Sequence, residues 1–184
     1  MDEKEKCKQG LLYDPNDPKL IEERLKCKES LYALERLSPR EIQKRRELLS
    51  WLLGSKKENF TIEPGFKCDY GYNIHLGENF FANYNLVILD EARVEFGENV
   101  LIGPNCAFYT ALHPFEKESR NLGLETAKPI KVGNNVWLGG NVVVLPGVEI
   151  GDNCVIGAGS VVSRSIKEGM LAVGNPCKAI RKIN

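Results

Sequence analysis

Aliphatic residues recur at every sixth position through the second half of the chain. The uninterrupted series is Val132, Leu138, Val144, Ile150, Ile156 and Val162. A small residue lies two positions before each of the last five, namely Val136, Val142, Val148, Cys154 and Ser160. Because residues two apart in an extended strand point to the same side, each pair predicts one buried edge of a short strand. The fixed period therefore predicts a repetitive, mainly β fold.

A turn signature rich in Gly and Asn separates these aliphatic positions. It is clearest in Gly97-Glu98-Asn99, Gly133-Asn134-Asn135 and Gly151-Asp152-Asn153. Gly and Asn are the residues that tolerate positive φ, so each hexad predicts one short strand followed by one corner with left-handed backbone. Three hexads close a triangular coil, and stacked coils pair their strands in parallel around an aliphatic column. The pattern predicts a parallel β-helix.

The residues just before the aliphatic positions point outward, and those eighteen apart share one face of the prism. The stacked pairs are Trp137 with Val155, Val143 with Val161, and Lys131 with Glu149. Two faces therefore expose apolar rows and one is charged. A threefold ring of chains would cover those rows, whereas single apolar residues scattered on a surface need no partner.

The first third of the chain has a helical pattern. Its apolar residues recur at three- and four-residue steps, at Leu20, Ile21, Leu25, Leu31, Leu34 and Leu37. Asp17-Pro18 predicts the start of one helix, Ser38-Pro39-Arg40-Glu41 predicts a capping box at the start of a second, and Gly54 ends it. We predict a helical cap over residues 1–58 and a β-helix over 59–184 that finishes in a C-terminal tail. Packing and a functional lid explain such a cap equally well.

The six-residue period fails at two places. Eight residues separate Ile88 from Phe96, which puts the acidic pair Asp90-Glu91 in an enlarged corner. The period lapses altogether over about 111–128, a stretch that begins with His113-Pro114. We expect this stretch to be a loop extruded from a rigid solenoid, the kind of segment that carries function.

Composition narrows the classes of protein. Lys and Arg together number 25, as do Asp and Glu, so the formal net charge is zero and does not favour a nucleic-acid partner. No apolar run approaches the ~20 residues of a membrane span. The 6 cysteines form no CxxC pair, so we expect free, mostly packed thiols, a cytoplasmic protein and no metal site.

The chain has only 2 histidines. His75 lies inside a predicted strand and is best explained as a structural residue. His113 opens the predicted loop, where a neutral imidazole could accept a hydroxyl proton near neutral pH.

Several segments together resemble the maltose and galactoside O-acetyltransferase family of the hexapeptide acyltransferase superfamily, across nearly the whole chain. The segments are Gly10-Leu11-Leu12-Tyr13-Asp14, Cys68-Asp69-Tyr70-Gly71-Tyr72-Asn73-Ile74-His75, Ala82-Asn83-Tyr84-Asn85, His113-Pro114, Asn135-Val136-Trp137-Leu138-Gly139-Gly140 and Gly174-Asn175-Pro176-Cys177-Lys178. The resemblance implies that the β-helix is left-handed, and that homotrimers hold active sites between their subunits.

The implied activity is an acetyl-CoA-dependent O-acetyltransferase acting on a hydroxyl of a sugar such as maltose, glucose or a related glycoside. Transfer would be direct, with His113 as the general base and no metal. The resemblance places the backbone N–H of Gly140 at the developing oxyanion and Asn83 beside the reacting centre, although Asn83 could instead simply form a corner.

The resemblance also implies two sets of ligand-binding residues. Those for the acceptor are Asp14, Asp69, Asn83, Glu91 and Glu125, whose oxygens suit the several O–H donors of a polyol. Those for the coenzyme are Trp137, Gly140, Ala158, Ser163, Arg164, Lys178 and Arg181. Each acid could instead be a solvated surface group, and the terminal cations a solubilising tail. Asp69 follows the maltose branch, because the galactoside branch has Ser there.

Three alternatives stay open at this point. Within acyltransferases, the acceptor could be an antibiotic hydroxyl or an amino sugar. A carbonic anhydrase of the γ type shares the implied scaffold but holds zinc with three histidines, which two histidines do not supply. A non-catalytic β-helix assembly protein is the third alternative.

Overall fold

A computed structural model describes residues 1–183. Its helices are α1 (Glu3–Lys8), α2 (Pro18–Arg36), α3 (Ile42–Leu52) and α4 (Lys117–Asn121). Its strands are β1 (Phe60–Ile62), β2 (Lys67–Cys68), β3 (Ile74–Leu76), β4 (Phe80–Ala82), β5 (Val87–Leu89), β6 (Val94–Phe96), β7 (Leu101–Ile102), β8 (Ala107–Tyr109), β9 (Ala111–Leu112), β10 (Thr126–Ala127), β11 (Ile130–Val132), β12 (Trp137–Leu138), β13 (Val143–Val144), β14 (Glu149–Ile150), β15 (Val155–Ile156), β16 (Val161–Val162), β17 (Met170–Val173) and β18 (Lys178–Lys182).

The strands form a parallel β-helix of about six coils with three faces. Face I contains β1, β4, β7, β12, β15 and β17, with β18 added at its end. Face II contains β2, β5, β8, β13 and β16, and face III contains β3, β6, β11 and β14. The chain passes from face I to II to III and back to I, so each coil has a I–II, a II–III and a III–I corner. The predicted fold class is confirmed.

The predicted interior and register are also confirmed. All the six-residue aliphatic positions and the small residues two before them are buried. Trp137 pairs with Val155 and Val143 with Val161 in adjacent coils. Cross-strand neighbours of this kind bury a continuous column and leave the same side chains outside on every coil.

The III–I corners are the most regular part of the coil stack. Asn79, Asn99, Asn135 and Asn153 have φ between 55° and 58°. Their side-chain amides form a ladder in which each Nδ2 donates to the next Oδ1 at 2.8–3.0 Å. The left-handed backbone expected at the corners is therefore present, and it aligns one polar side chain per coil.

The helical region begins partly as predicted. Asp17 caps α2 by accepting from the Lys19 N–H, with Pro18 at the first helical position. The expected start of the second helix is wrong, because Ser38 and Glu41 close a separate turn and α3 begins only at Ile42. Helix α1 was not predicted.

The sequence pattern did not predict two further features. The extruded loop contains the antiparallel pair β9–β10 and the short helix α4. The predicted tail is a hairpin in which β18 pairs antiparallel with β17. Across residues 1–183, no helix has both the length and the apolar character needed to cross a bilayer.

Candidate active site

The three irregular II–III corners lie one above another. They are the Asp69–Asn73 turn, the Asp90–Arg93 turn and the loop over residues 110–128. Coils above and below are in parallel register, so side chains that leave these corners meet along one edge of the prism. This edge brings together most of the ionisable groups that the sequence singled out.

His113 lies at the base of the extruded loop, with 57% of its side chain exposed. Its Nε2 is 3.8 Å from Oε1 of Glu125, whose side chain is only 17% exposed. The other Glu125 oxygen, Oε2, accepts a 2.8 Å hydrogen bond from the Tyr13 hydroxyl. A phenol is therefore hydrogen-bonded to a carboxylate that lies close to an imidazole at this corner.

The Tyr13 contact is built by the backbone. The N–H groups of Tyr13 and Glu125 each donate to the other's carbonyl, at 2.9 and 3.0 Å. Tyr13 is buried against Cys7, Leu20 and Tyr70, and burial raises the pKa of its hydroxyl further above the ordinary value. Tyr13 therefore stays a neutral donor and fixes the orientation of Glu125.

Asp69 and Glu91 face each other from adjacent coils. Burial, and then the hydrogen bond and negative charge of Asp69, raise the pKa of Glu91 well above its usual range. Thr110 Oγ1 lies 3.2 Å from Glu91 Oε2 and donates to the Leu89 carbonyl at 2.7 Å. At neutral pH the pair therefore holds a proton, so the site can both donate and accept hydrogen bonds.

The segment that contains Asp14 is held at the same edge by Arg24 of helix α2. Arg24 donates to the Tyr70 hydroxyl and to the Pro15 carbonyl, each at 2.6 Å. One guanidinium thus ties the segment of Asp14 to the turn of Asp69. One Asp14 oxygen, Oδ1, also accepts from the Asn16 N–H at 2.9 Å.

A second group of predicted residues occupies the I–II corners. Asn83, Gly140 and Ala158 lie there in the second, fourth and fifth coils. The residue with positive φ at the corner of Asn83 is Asn85. The Asn83 side chain accepts from the Tyr84 N–H at 2.8 Å within that corner. Among residues 1–183 no hydrogen bond uses the Gly140 N–H. Trp137 lies beside this corner on face I and is 55% exposed.

The remaining predicted residues lie toward the last coils. Ser163 and Arg164 follow β16, and Lys178 and Arg181 belong to β18, with exposed side chains. They sit at the same end of the β-helix as Ala158.

One chain does not bring the two groups together. Strand β5 shows the separation, because Asn83 precedes it at the I–II corner and Glu91 follows it at the II–III corner. The full width of face II therefore lies between the carboxylates with His113 and the I–II corner with Gly140.

Four residues of this edge were missed by sequence reasoning, namely Tyr13, Arg24, Asp90 and Thr110. Tyr13 directly precedes Asp14 in the sequence, and the enlarged corner already marked Asp90 together with Glu91, although no role was predicted for either Tyr13 or Asp90. The side chain of His75 instead lies on β3 of face III and bonds Ser55 Oγ through Nδ1 at 2.8 Å.

All 6 cysteines are free and buried, as predicted. Within the described 1–183, no cluster of three or more His, Cys, Asp or Glu has metal-site geometry.

Comparison with family models finds two matches. Residues 129–164 match the bacterial transferase hexapeptide model of six repeats. Residues 6–57 match the maltose acetyltransferase hexapeptide capping motif. The two matches cover the regular coils and the helical region.

Individual proteins are similar over the whole chain. Galactoside O-acetyltransferase of Escherichia coli is 43% identical over 98% of this chain and 89% of its own length. The crystal structure of a maltose O-acetyltransferase from Clostridium difficile 630 has a TM-score of 0.96 at 48% identity, covering 100% of this chain and 98% of that one. A galactoside acetyltransferase solved in complex with coenzyme A has a TM-score of 0.97 at 43% identity, covering 100% and 92%.

Proposed function

Because the chain belongs to the maltose and galactoside O-acetyltransferase family and is an acetyl-CoA-dependent acetyltransferase, we propose that it acetylates a hydroxyl of a sugar, with His113 as the general base. The observation that carries this proposal is the Tyr13–Glu125–His113 arrangement beside the acidic pair of Asp69 and Glu91. It puts one exposed imidazole next to side chains suited to hydroxyl groups.

The reaction then needs one proton acceptor and one oxyanion donor. His113 takes the proton from the acceptor hydroxyl as its oxygen attacks the thioester carbonyl carbon. The tetrahedral oxyanion accepts a hydrogen bond from the Gly140 N–H, and Asn83, at the I–II corner two coils earlier, orients the acceptor. When the intermediate collapses, the C–S bond breaks, the ester forms and the imidazolium returns its proton to the leaving thiolate.

Glu125 has a supporting role in this proposal. A carboxylate near one imidazole nitrogen orients the ring and stabilises the imidazolium that forms during the reaction. The Tyr13 hydroxyl holds that carboxylate from the other side. Glu125 therefore acts both on His113 and at the rim of the acceptor site.

A small polyhydroxylated acceptor fits the lining of the site. Asp14, Asp69, Glu91 and Glu125 supply carboxyl oxygens, and the protonated member of the acidic pair supplies a donor. Desolvated sugar hydroxyls need such partners on both sides of each O–H group. We favour maltose, glucose or a related glycoside, since Asp69 follows the pattern of the maltose branch.

Coenzyme A is assigned to the groove of I–II corners. Small residues at Gly140 and Ala158 allow the pantetheine arm to lie close to the backbone, and Trp137 borders it. Ser163, Arg164, Lys178 and Arg181 are placed at the same end for the phosphates, which guanidinium and ammonium groups bind well.

We propose a homotrimer because the two halves of this site are on different corners. The II–III corner of one chain would meet the I–II corner of the next, which closes a ring of three equivalent sites. The same contact would cover the exposed Trp137 and the half-buried valines of face II. The buried free thiols favour a reducing compartment, so we place the protein in the cytoplasm.

The experiment is an acetyl-CoA turnover assay with a panel of acceptors. Maltose, glucose and an alkyl galactoside represent the proposal, and glucosamine and an antibiotic with a free hydroxyl represent the alternatives. We expect the highest kcat/KM with a glucoside and an O-acetyl product by mass spectrometry. Turnover only with the amino sugar or the antibiotic, or no turnover with any member, would reject the sugar proposal.

A further inference from the structure

One fully buried acid has no part in the mechanism above. Asp90 is the first residue after β5 and its side chain is 0% exposed. It contacts neither the groove of I–II corners nor His113. A buried carboxyl group costs free energy unless its oxygens are satisfied, so its surroundings should show what it does.

The Asp90 carboxylate binds the backbone of the turn in the coil before it. Oδ1 accepts from the N–H groups of Asp69 at 3.0 Å and Tyr70 at 2.9 Å. Oδ2 lies 3.4 Å from the N–H of Asn73, whose own side chain donates to the Asp90 carbonyl at 2.6 Å. Asp90 therefore holds both ends of the Asp69–Asn73 turn.

The charge of this carboxylate is not balanced by a salt bridge within residues 1–183. The titratable groups that face it are Asp69 and Cys68 from the first coil, Glu91 beside it, and Tyr72 across the turn. Burial outweighs the hydrogen bonds and raises the pKa of Asp90 to about 7. This buried carboxyl group therefore lies directly beneath the acceptor edge, with its side-chain oxygens directed at the backbone of a single turn.

We infer that Asp90 is a positioning residue, whose buried carboxylate fixes the Asp69–Asn73 turn so that the Asp69 side chain faces Glu91 and the acceptor. The inference rests on the proposed role of Asp69 in acceptor binding. Asp90 acts through the backbone N–H groups and does not touch the acceptor. Arg24 holds the same turn from the opposite side through the Tyr70 hydroxyl.

Two variants separate the charge from the hydrogen bonds. Asp90→Asn keeps the shape and the Oδ1 acceptor but places an NH₂ group opposite the Asn73 N–H. Asp90→Ala removes every acceptor. A matched control is Val100→Ala, which opens a cavity at another fully buried position of the same stack and leaves the turn alone.

The kinetic expectation is a change confined to the acceptor. We expect the acceptor KM to rise about threefold to tenfold in Asp90→Asn and further in Asp90→Ala, while the KM for acetyl-CoA stays within about twofold. Val100→Ala should lose thermal stability without moving either KM. If Asp90→Ala does not fold, the asparagine variant still decides the question.

The pH dependence gives a readout that packing alone would not move. In the wild type, Asp90 takes up a proton as the pH falls through about 7. The acceptor KM should then rise between pH 8 and pH 6. Asp90→Asn resembles the protonated state permanently, so its acceptor KM should lack this part of the pH dependence, and what remains reports the other groups of the site.

Hydrogen exchange tests the positioning without any acceptor. The amide of Asn73 should exchange faster in Asp90→Asn than in the wild type or in Val100→Ala, measured by mass spectrometry on the intact protein. In Asp90→Ala the amides of Asp69 and Tyr70 should exchange faster as well. Hydrogen exchange can be measured even if the wild type acetylates no sugar. That outcome would reject the proposed function but not the positioning role of Asp90. Unchanged exchange at the turn, or parallel changes in the KM values of acceptor and acetyl-CoA, would overturn the inference.

Discussion

The III–I and II–III corners of the same coils differ in almost every respect. The III–I corners repeat Gly-x-Asn with nearly constant φ and an exposed asparagine ladder. The II–III corners of the first three coils change length each time, bury Asp90 and carry His113 on a loop. The stack therefore needs only part of each coil to be regular, which leaves one edge free for chemistry.

The largest expected effect is on the irregular edge. His113→Ala should lower kcat by at least ~10²-fold, because it removes the proposed base, while the affinity for coenzyme A stays close to wild type. Isothermal titration with coenzyme A and steady-state assays measure the two separately. The side chain of His113 is 57% exposed, so we expect no loss of stability.

His75→Ala is the matched control for that variant. Its imidazole lies on face III, bonds Ser55 and has no part in the proposed proton transfer. Near-normal turnover is expected for His75→Ala. If the two alanine variants lose turnover to the same extent, the assignment of the base to the loop histidine fails.

The second prediction breaks a regular corner. A Cβ at Gly97 would lie 2.7 Å from the backbone carbon of Gly133 in the next coil, so Gly97→Ala should cost about 3 kcal/mol. At Gly123 in the loop a Cβ meets only the Asn16 side chain at 3.5 Å, and the positive φ of 77° makes alanine cost about 1 kcal/mol. Urea unfolding at fixed protein concentration compares the two. Equal losses would contradict the claim that the regular corners are the tighter ones.

The third prediction concerns the side chains of Tyr13, Glu125 and His113. Tyr13→Phe removes the hydroxyl that holds Glu125 Oε2 and should lower kcat about three- to tenfold, with the KM for acetyl-CoA unchanged. Tyr32→Phe, on an exposed part of α2, is the control and should leave kcat alone. A wild-type kcat in Tyr13→Phe would show that the reaction does not depend on the orientation of Glu125 by the Tyr13 hydroxyl.

The smallest expected effect is at the asparagine ladder. Asn99 has a φ of 56°, which alanine tolerates poorly, so Asn99→Ala should cost about 1 kcal/mol, whereas Asn99→Gly should cost clearly less. The midpoint of urea unfolding measures both. A glycine variant no more stable than the alanine variant would show that the ladder bonds, not the backbone, decide this corner.

The same contrast explains what sequence alone could predict. The register of Trp137 with Val155 follows from the period, and the Asn corners follow from local backbone preference. The candidate edge depends on contacts between distant residues, such as Tyr13 with Glu125 and Asp90 with the turn at Asp69. No spacing rule marks those contacts. The broken period pointed to Asp90 and Glu91 and the resemblance pointed to the other acids, but neither assigned a role to Asp90 or Arg24.

The predicted start of helix α3 and the predicted tail at strand β18 were wrong for related reasons. The Glu41 side chain accepts from the Ser38 N–H, but the Glu41 N–H donates to the Ser38 carbonyl, so these residues close a turn of their own and α3 packs on the first coil from Ile42 onward. Strand β18 has exposed side chains throughout and lacks the hexad pattern, and pairing with β17 alone defines it. In both places tertiary contacts overrode the local signal.

In the proposed trimer, the His113 corner of one chain works with the Gly140 corner of another. Co-expression of His113→Ala with Ala158→Trp, which blocks the coenzyme groove, tests it directly. Each parent should be nearly inactive. With equal expression and random assembly, about three quarters of all trimers contain both variants, and each of these has one of its three sites intact. About a quarter of the wild-type number of sites should therefore be active. Recovery of activity near that level is the predicted result. Mixed trimers, verified by native mass spectrometry, that stay as inactive as their parents would contradict the claim.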